Sequence, residues 1–518
     1  LLLTSISSWL LSLKLLRQPS SSSRPEIKST TKTNMSNIVT IFGRFTRFAA
    51  HFWEYEITNP VSGEIKWERY HPWIQERIFD ELHKTAKLGT LKIDDTDFEI
   101  IFDHDHGKHR QRDENNGSEC VVRKTPEVLV SDWNTFKEMS DINQVTKLDL
   151  NSGLDDDSKI KDDDAEELTK KVPDCESLWY LNLSHNKLTD AFKFDFGKTL
   201  ATASALSVLD LASNKFGEET GIKIGAALTT NTSLHTLHLY GNQLKDEGGA
   251  AVFRGLKNNT TLKVLRMGRN QLGANVGVAI QVALANNTSL HELHLDGNPL
   301  GDQSGVAIAT WLAKNTTLKT LSLRDNNLTD EAGAEFGRAV GTNTALIDLH
   351  LGNNKLGHTS GAAFGEALLV ANKSLRRLNL GSNNLGDASG AAFGEALATN
   401  TSLKELFLGS NKLGDASGDA FGKVLATTTS LRILDLGVNT MSDVSGVAFG
   451  EALATNTSLT ELFLGSNKLG DASGVAFGNA LVNNKSLRVL DLSNNNQGDG
   501  PGCAFGKALT DNTCLTVL

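Results

Sequence analysis

With 518 residues the chain is too long for one small core, so more than one domain is expected. Its net charge of −10 argues against nucleic acid as a general partner. Four cysteines (Cys120, Cys175, Cys503 and Cys514) show neither metal-type nor disulfide-framework spacing, which points to a reducing compartment, cytoplasmic or nuclear. No stretch reaches the ~18 apolar residues of a membrane-spanning helix.

Residues 1–34 form the first segment. Residues 1–16 are apolar, and 17–34 are rich in Ser, Thr, Lys and Arg, with Glu26 as their single acidic residue. That composition resembles a targeting leader. Met35 opens more ordinary sequence and is read as the start, with 1–34 a disordered, targeting-like or untranslated leader.

Residues 35–130 contain no repeat and hold the densest cluster of large aromatics: Trp53, Tyr55, Trp67, Tyr70 and Trp73. Alternation and turn residues predict strands over 52–57 and 64–70, joined by a turn from Asn59-Pro60 to Gly63. A helix over 73–87 follows, then strands over 90–93 and 97–102, a loop, and a strand over 119–124. The order of motifs resembles a WWE domain over about residues 50–126. The carriers are Phe52-Trp53-Glu54-Tyr55, Trp67-Glu68-Arg69-Tyr70, Phe98-Glu99-Ile100-Ile101-Phe102, and Gly117 through Lys124. WWE domains bind ADP-ribose units of poly(ADP-ribose). The resemblance implies that Tyr55 and Trp67 frame base and ribose, while Gln111, Arg123 and Lys124 meet polar and phosphate groups. Phe98 and Cys120 depart from the family pattern, losing a hydroxyl and a cation.

The loop Asp103-His104-Asp105-His106-Gly107-Lys108-His109 has metal-ligand residue types, but no second ligand cluster is spaced to match, so neither metal nor cofactor is expected. Residues 131–177 read as a linker and an irregular opening repeat. Its acidic run from Asp155 to Glu167 reads as a solvated insertion, without the glycine and terminal Glu of a calcium loop.

From Leu178 onward, asparagine recurs at 186, 214, 242, 270, 298, 326, 354, 383, 411, 439, 467 and 495, in steps of 28 with a single step of 29. Each closes L-x-x-L-x-L-x-x-N, as in Leu403 to Asn411, with Met267 standing for the third leucine before Asn270. This spacing is the signature of leucine-rich repeats. Leucines two apart, such as Leu406 and Leu408, lie on one face of a short strand, and the Asn turns the chain. Ala420, Phe421, Val424 and Leu425 have helical spacing, with Asp415 as the expected N-cap. A core stripe is expected through Phe196, Ile224, Val252, Ile280, Ile308, Phe336, Phe364, Phe393, Phe421, Phe449, Phe477 and Phe505. N-x-S/T sequons recur at one repeat position (Asn231, Asn315, Asn400, Asn456) and read as turn residues rather than glycan acceptors. The repeats resemble the ribonuclease-inhibitor class, over about residues 145–518. The resemblance implies an α/β horseshoe solenoid over 178–518, with strands on the concave face and helices on the convex face. The last leucines, Leu515 and Leu518, fall inside a further repeat, so the solenoid is read as truncated.

Non-enzymatic scaffolding is therefore the expected function. No catalytic constellation is present, and no Cys/His array of a RING. Outward strand positions place His238, Arg266, His294 and His350, flanked by Arg269 and Arg324, at the middle of the arc. Arg377, Phe407 and Phe463 follow. Arg and aromatics are hot-spot residue types, so a protein partner with an acidic segment is expected there, with no DNA and no membrane. Two alternatives also rest on resemblance. The repeats are similar to those of the activating protein for the Ran GTPase, and to those of NOD-like receptors. The second lacks its G-x-x-x-x-G-K-[ST] loop in this chain.

Overall fold

The computed structural model describes residues 129–518, apart from 141, 152–159 and 371, together with the backbone of six strands between 51 and 126. These six are β1 (His51–Thr58), β2 (Ile65–Arg69), β3 (Thr90–Lys92), β4 (Phe98–Phe102), β5 (His109–Asp113) and β6 (Glu119–Pro126). They form one sheet in the order β2-β1-β6-β5-β4-β3. Strand β5 falls where a loop was expected. Its sequence, His109-Arg110-Gln111-Arg112-Asp113, is wholly polar and carries no apolar alternation. It is a strand because it pairs antiparallel with β4 on one side and β6 on the other. The expected helix over 73–87 and the His-rich residues 103–108 lie outside the described residues.

The solenoid is a separate, fourteen-stranded sheet in strict chain order. It takes in Leu129–Val130 and Lys147–Asp149, then twelve three-residue strands from Tyr180–Asn182 to Val489–Asp491, with parallel pairing throughout. Between strands the chain returns through a turn and, in each complete repeat, a helix. In the strand Glu405–Phe407 the pattern is outward, buried, outward, because side chains alternate across a pleat. Leu403, Leu406 and Leu408 point inward and are fully buried. They meet Phe421 and Leu425 of the helix Asp415–Leu425, also fully buried. The aromatic and β-branched stripe read from the sequence is core from Phe196 to Phe477, and Phe505 is packed against that core while partly open.

Three polar ladders hold successive repeats together. In the first, Asn411 Nδ2 donates to the carbonyls of Leu408 (3.0 Å) and, one repeat back, Leu380 (3.1 Å), while its Oδ1 accepts from the Leu385 amide (3.0 Å). One buried amide thus satisfies three backbone groups that short strands leave over. The second ladder is the sequon column. Asn400 is buried; its Nδ2 donates to the carbonyls of Leu368 and Asn372, both at 3.0 Å, and its Oδ1 accepts from the amides of Ser402 and Leu403. The nitrogen a glycan would need is already engaged in the fold. The third ladder corrects an expectation. Asp415 does not cap its own helix, whose N-cap is Gly414. Its carboxylate instead accepts from the Ser442 amide (2.8 Å) and from the hydroxyls of Ser442 and Ser445 (both 2.6 Å) in the next repeat.

Part of the acidic run is structural rather than solvated. Asp162 accepts from the Thr189 amide (2.9 Å) and hydroxyl (2.6 Å), and Asp164 accepts from the Trp133 indole (3.0 Å).

Candidate binding face

The first and third residues of each strand face away from the helices, and the register aligns them into two columns. Along the third-position column, Asp210, His238, Arg266, His294, Ser322, His350, Asn379, Phe407, Asp435, Phe463 and Asp491 are successive pairing partners. Because parallel strands repeat every ~4.8 Å, the column is a ruler with one side chain per step.

Its central cations are brought together as expected, but most are matched by acids on the same face. His238 Nδ1 lies 3.2 Å from Asp210. His294 Nε2 lies 3.7 Å and Arg266 4.0 Å from Glu292. His350 Nε2 lies 2.9 Å from Asp348. Arg377 bridges Glu405 at 2.6 Å and Asp348 at 3.6 Å. The nearby His294 imidazole holds the Glu292 carboxyl below the usual carboxylate range against burial, with Arg266 and His291 adding to it. His294 and His350 meet acids two residues back on their own strands, whereas His238, Arg266 and Arg377 meet acids of neighbouring repeats, pairs that only the register reveals. Arg269 and Arg324 differ: both are exposed, and neither makes an ion pair among the described residues. Arg269 lies over the Tyr240 ring, 5.8 Å from its centroid.

Beyond Arg377 the face changes character. Phe407 and Phe463 are half-buried rather than exposed. They line a groove of 670 Å³ together with Asp435, Asp491 and Val438. Its floor includes Gly409, Gly437 and Gly465. A Cβ at Gly409 would come within 2.9 Å of Asp435 Oδ2, and one at Gly465 within 2.9 Å of Asp491 Oδ2. The glycines leave the room into which those carboxylates lean. Burial pushes the Asp435 carboxyl above its usual range, and Asp491 adds to the shift. Neither Asp435 nor Asp491 stood out as a candidate in the sequence.

The five N-terminal candidates fall on four neighbouring strands. Tyr55 is on β1, Trp67 on β2, Arg123 and Lys124 on β6, and Gln111 on β5. Backbone register sets Tyr55 opposite Glu68, Trp67 opposite Glu56, and Gln111 opposite both Ile100 and Cys120. Tyr55 and Trp67 are therefore not cross-strand partners.

Among the described residues, no group of His, Cys, Asp or Glu is placed to hold a metal, and no helix is long and apolar enough to cross a membrane. Cys175, Cys503 and Cys514 are free thiols. Burial pushes the Cys175 thiol up to about 12, so it is inert at neutral pH.

Comparison with family models agrees with the geometry. A leucine-rich-repeat family model matches residues 230–253, 258–280, 286–309, 314–337, 371–394, 399–422 and 455–478, and a second such model matches 486–508. No curated protein matches the chain in sequence. Among solved structures, an internalin (InlF) from Listeria monocytogenes is similar at 18% identity and a TM-score of 0.44, over 69% of this chain and 93% of that one. The repeat ectodomain of the Arabidopsis receptor kinase HAESA, solved with a peptide hormone, is similar at 15% identity and a TM-score of 0.35, over 76% of this chain and 64% of that one. A chain of the complex of Latrophilin 3, Unc5D and FLRT2 is similar at 20% identity and a TM-score of 0.36, over 58% of this chain and 86% of that one. With the L-x-x-L-x-L-x-x-N register built as a parallel sheet backed by helices, the repeat region of this chain is a leucine-rich-repeat solenoid.

Proposed function

We propose that the chain is a non-enzymatic scaffold of the cytoplasm or nucleus that holds a protein partner on the open face of its sheet. The observation that carries this reading is the aligned column itself: a row with one outward side chain per strand, His, Arg and Phe prominent among them, wide enough for an extended surface and without the enclosed cavity a small substrate needs. Rigid presentation lowers the ordering cost of binding. An acidic segment of the partner meets Arg269 and Arg324, and competes with Glu292 and Asp348 for Arg266, His294 and His350. The test is capture of a cross-linked partner by the full chain and by Arg266→Glu/His294→Glu. Loss of capture in a variant that keeps its circular dichroism is expected; unchanged capture refutes the acidic-segment reading.

The N-terminal sheet adds a second element to the proposal, recognition of ADP-ribose. Its support is the motif order together with the placement of Tyr55, Trp67, Gln111, Arg123 and Lys124 on four adjoining strands. Calorimetric titration of the full chain with iso-ADP-ribose, with ADP-ribose as control, tests it. Saturable heat lost in Trp67→Ala and in Arg123→Ala is the expected result. A folded chain that gives no heat removes ADP-ribose from the function and leaves the scaffold reading intact.

A further inference from the structure

The last four strands carry a different chemistry from the central ones. Their outward residues are Glu405 and Phe407, Ile433 and Asp435, Glu461 and Phe463, then Val489 and Asp491. That is four carboxylates, two aromatic rings, two aliphatic side chains and no cation. Arg377 neutralises Glu405 from the preceding strand. Three cations stand one position ahead of these strands: Lys404 donates to the Thr401 carbonyl (3.2 Å), Arg432 donates to the Ser458 carbonyl (2.8 Å), and Arg488 is exposed and makes no ion pair among the described residues. Asp435, Glu461 and Asp491 make no ion pair among the described residues.

Two of these positions form a unit that occurs twice. Phe407 pairs in register with Asp435, and Phe463 with Asp491. In each unit one carboxylate oxygen is spoken for by the fold: Asp435 Oδ1 accepts from the Gly437 amide and Asp491 Oδ1 from the Ser493 amide, both at 2.9 Å. Both oxygens lie over a glycine of the preceding repeat, Gly409 for Asp435 and Gly465 for Asp491. A phenylalanine in register with a carboxylate that makes no ion pair among the described residues, in one half-buried groove, is the pairing that a Lys or Arg side chain satisfies, through cation–π contact and a charge-assisted hydrogen bond together.

The spacing narrows the ligand. The two units are two strands apart, ~9.6 Å at ~4.8 Å per strand. A polyproline-II segment rises ~3.1 Å per residue, so cations three residues apart on it are separated by ~9.3 Å. Val438 lines the same groove, is 55% exposed, and has φ of 56°. A β-branched residue in the left-handed region is costly, and Ser410 and Ser466 hold the matching position in the flanking repeats. The strain sits where an apolar contact for the stem of a long cationic side chain would be useful.

We propose that Phe407–Asp435 and Phe463–Asp491 are twin subsites for two Arg or Lys side chains three residues apart on an extended basic segment of a protein partner. This rests on the open-face reading above and gives that face its polarity: cations at its centre and carboxylates with aromatics towards Asp491.

Fluorescence anisotropy of the full chain with a labelled Gly-Arg-Pro-Pro-Arg-Gly peptide tests it, with Gly-Glu-Pro-Pro-Glu-Gly as control. Saturable binding of the arginine peptide only is expected, weakened at 0.5 M salt. Asp435→Asn/Asp491→Asn removes both charge-assisted contacts and should weaken it at least ~10-fold, ~1.4 kcal/mol per decade. Phe463→Ala should weaken it comparably. No saturable binding of the arginine peptide, or equal affinity in the Asn variants, overturns the proposal. Capture that still depends on Arg266 and His294, with no peptide binding, would overturn the twin subsites and leave the open-face reading standing.

Discussion

Gly418 and Ser445 occupy one place between adjacent repeats: a Cβ on Gly418 would overlap the Ser445 hydroxyl and crowd its Cβ and backbone. The same contact recurs between Gly361 and Ser389, Gly390 and Ser417, and Gly446 and Ser473. The Ser-Gly pair that opens these helices is thus a packing device. The serine of one helix fills the notch that the glycine of the preceding helix leaves.

Gly418→Ala should therefore destabilise the solenoid by ~1–3 kcal/mol, the usual cost of overpacking. Gly506→Ala is the control, because a Cβ there meets nothing within 4 Å and sits in a helix; it should be neutral or stabilising by up to ~1 kcal/mol. Urea denaturation of both variants followed by circular dichroism decides between them.

Asn411→Ala leaves the Leu380 and Leu408 carbonyls and the Leu385 amide without their side-chain partner. Each buried group so orphaned costs ~1–3 kcal/mol, so a loss of at least ~2 kcal/mol is expected. Hydrogen exchange should locate the loss in the repeats on either side of position 411, since a solenoid couples chiefly to its neighbours.

The aspartate ladder makes stability depend on pH. Ser473 donates to Asp443, and the Ser473 and Gly470 amides add to it, holding that carboxyl below its usual 3.8 against burial. At Asp387 burial pushes up, but bonds from Ser417 and the Gly414 amide outweigh it and the carboxyl is again lowered. A lowered folded-state value means the unfolded chain binds the proton first. The contribution is therefore complete above the ordinary value and is lost as pH falls through it toward the folded value. Melting temperature should be flat above about pH 5 and fall below about pH 4. Asp387→Asn/Asp443→Asn should flatten that decline; an unchanged acid slope would show that other carboxylates set it.

Val438→Asn should raise stability by ~1 kcal/mol, because Asn tolerates the left-handed backbone that Val438 adopts at φ 56°. The reverse change, Ser410→Val, should lower it by a similar amount. Equal melting temperatures for wild type and Val438→Asn would show that the valine side chain recovers its backbone cost through contacts in the groove.

The solenoid was legible in the sequence because a 28-residue period with leucines two apart leaves few ways to bury those leucines. The helix stripe from Phe196 to Phe477 was legible for the same reason. The polar ladders were visible as recurring Asn, Asp and Ser, but not their partners. Asp415 looks like a cap for its own helix, and only the stacking offset carries its carboxylate to Ser442 and Ser445 of the next. Strand β5 has no apolar pattern of its own, so its pairing with β4 and β6 had to come from the sheet. Charge on the open face behaved likewise. Arg377 looks like a free cation in sequence, whereas the sheet sets it between Asp348 and Glu405 of the flanking repeats. Periodicity records which side chains a strand must bury; which outward side chains meet depends on the step from one repeat to the next, and that step exists only once the repeats are stacked.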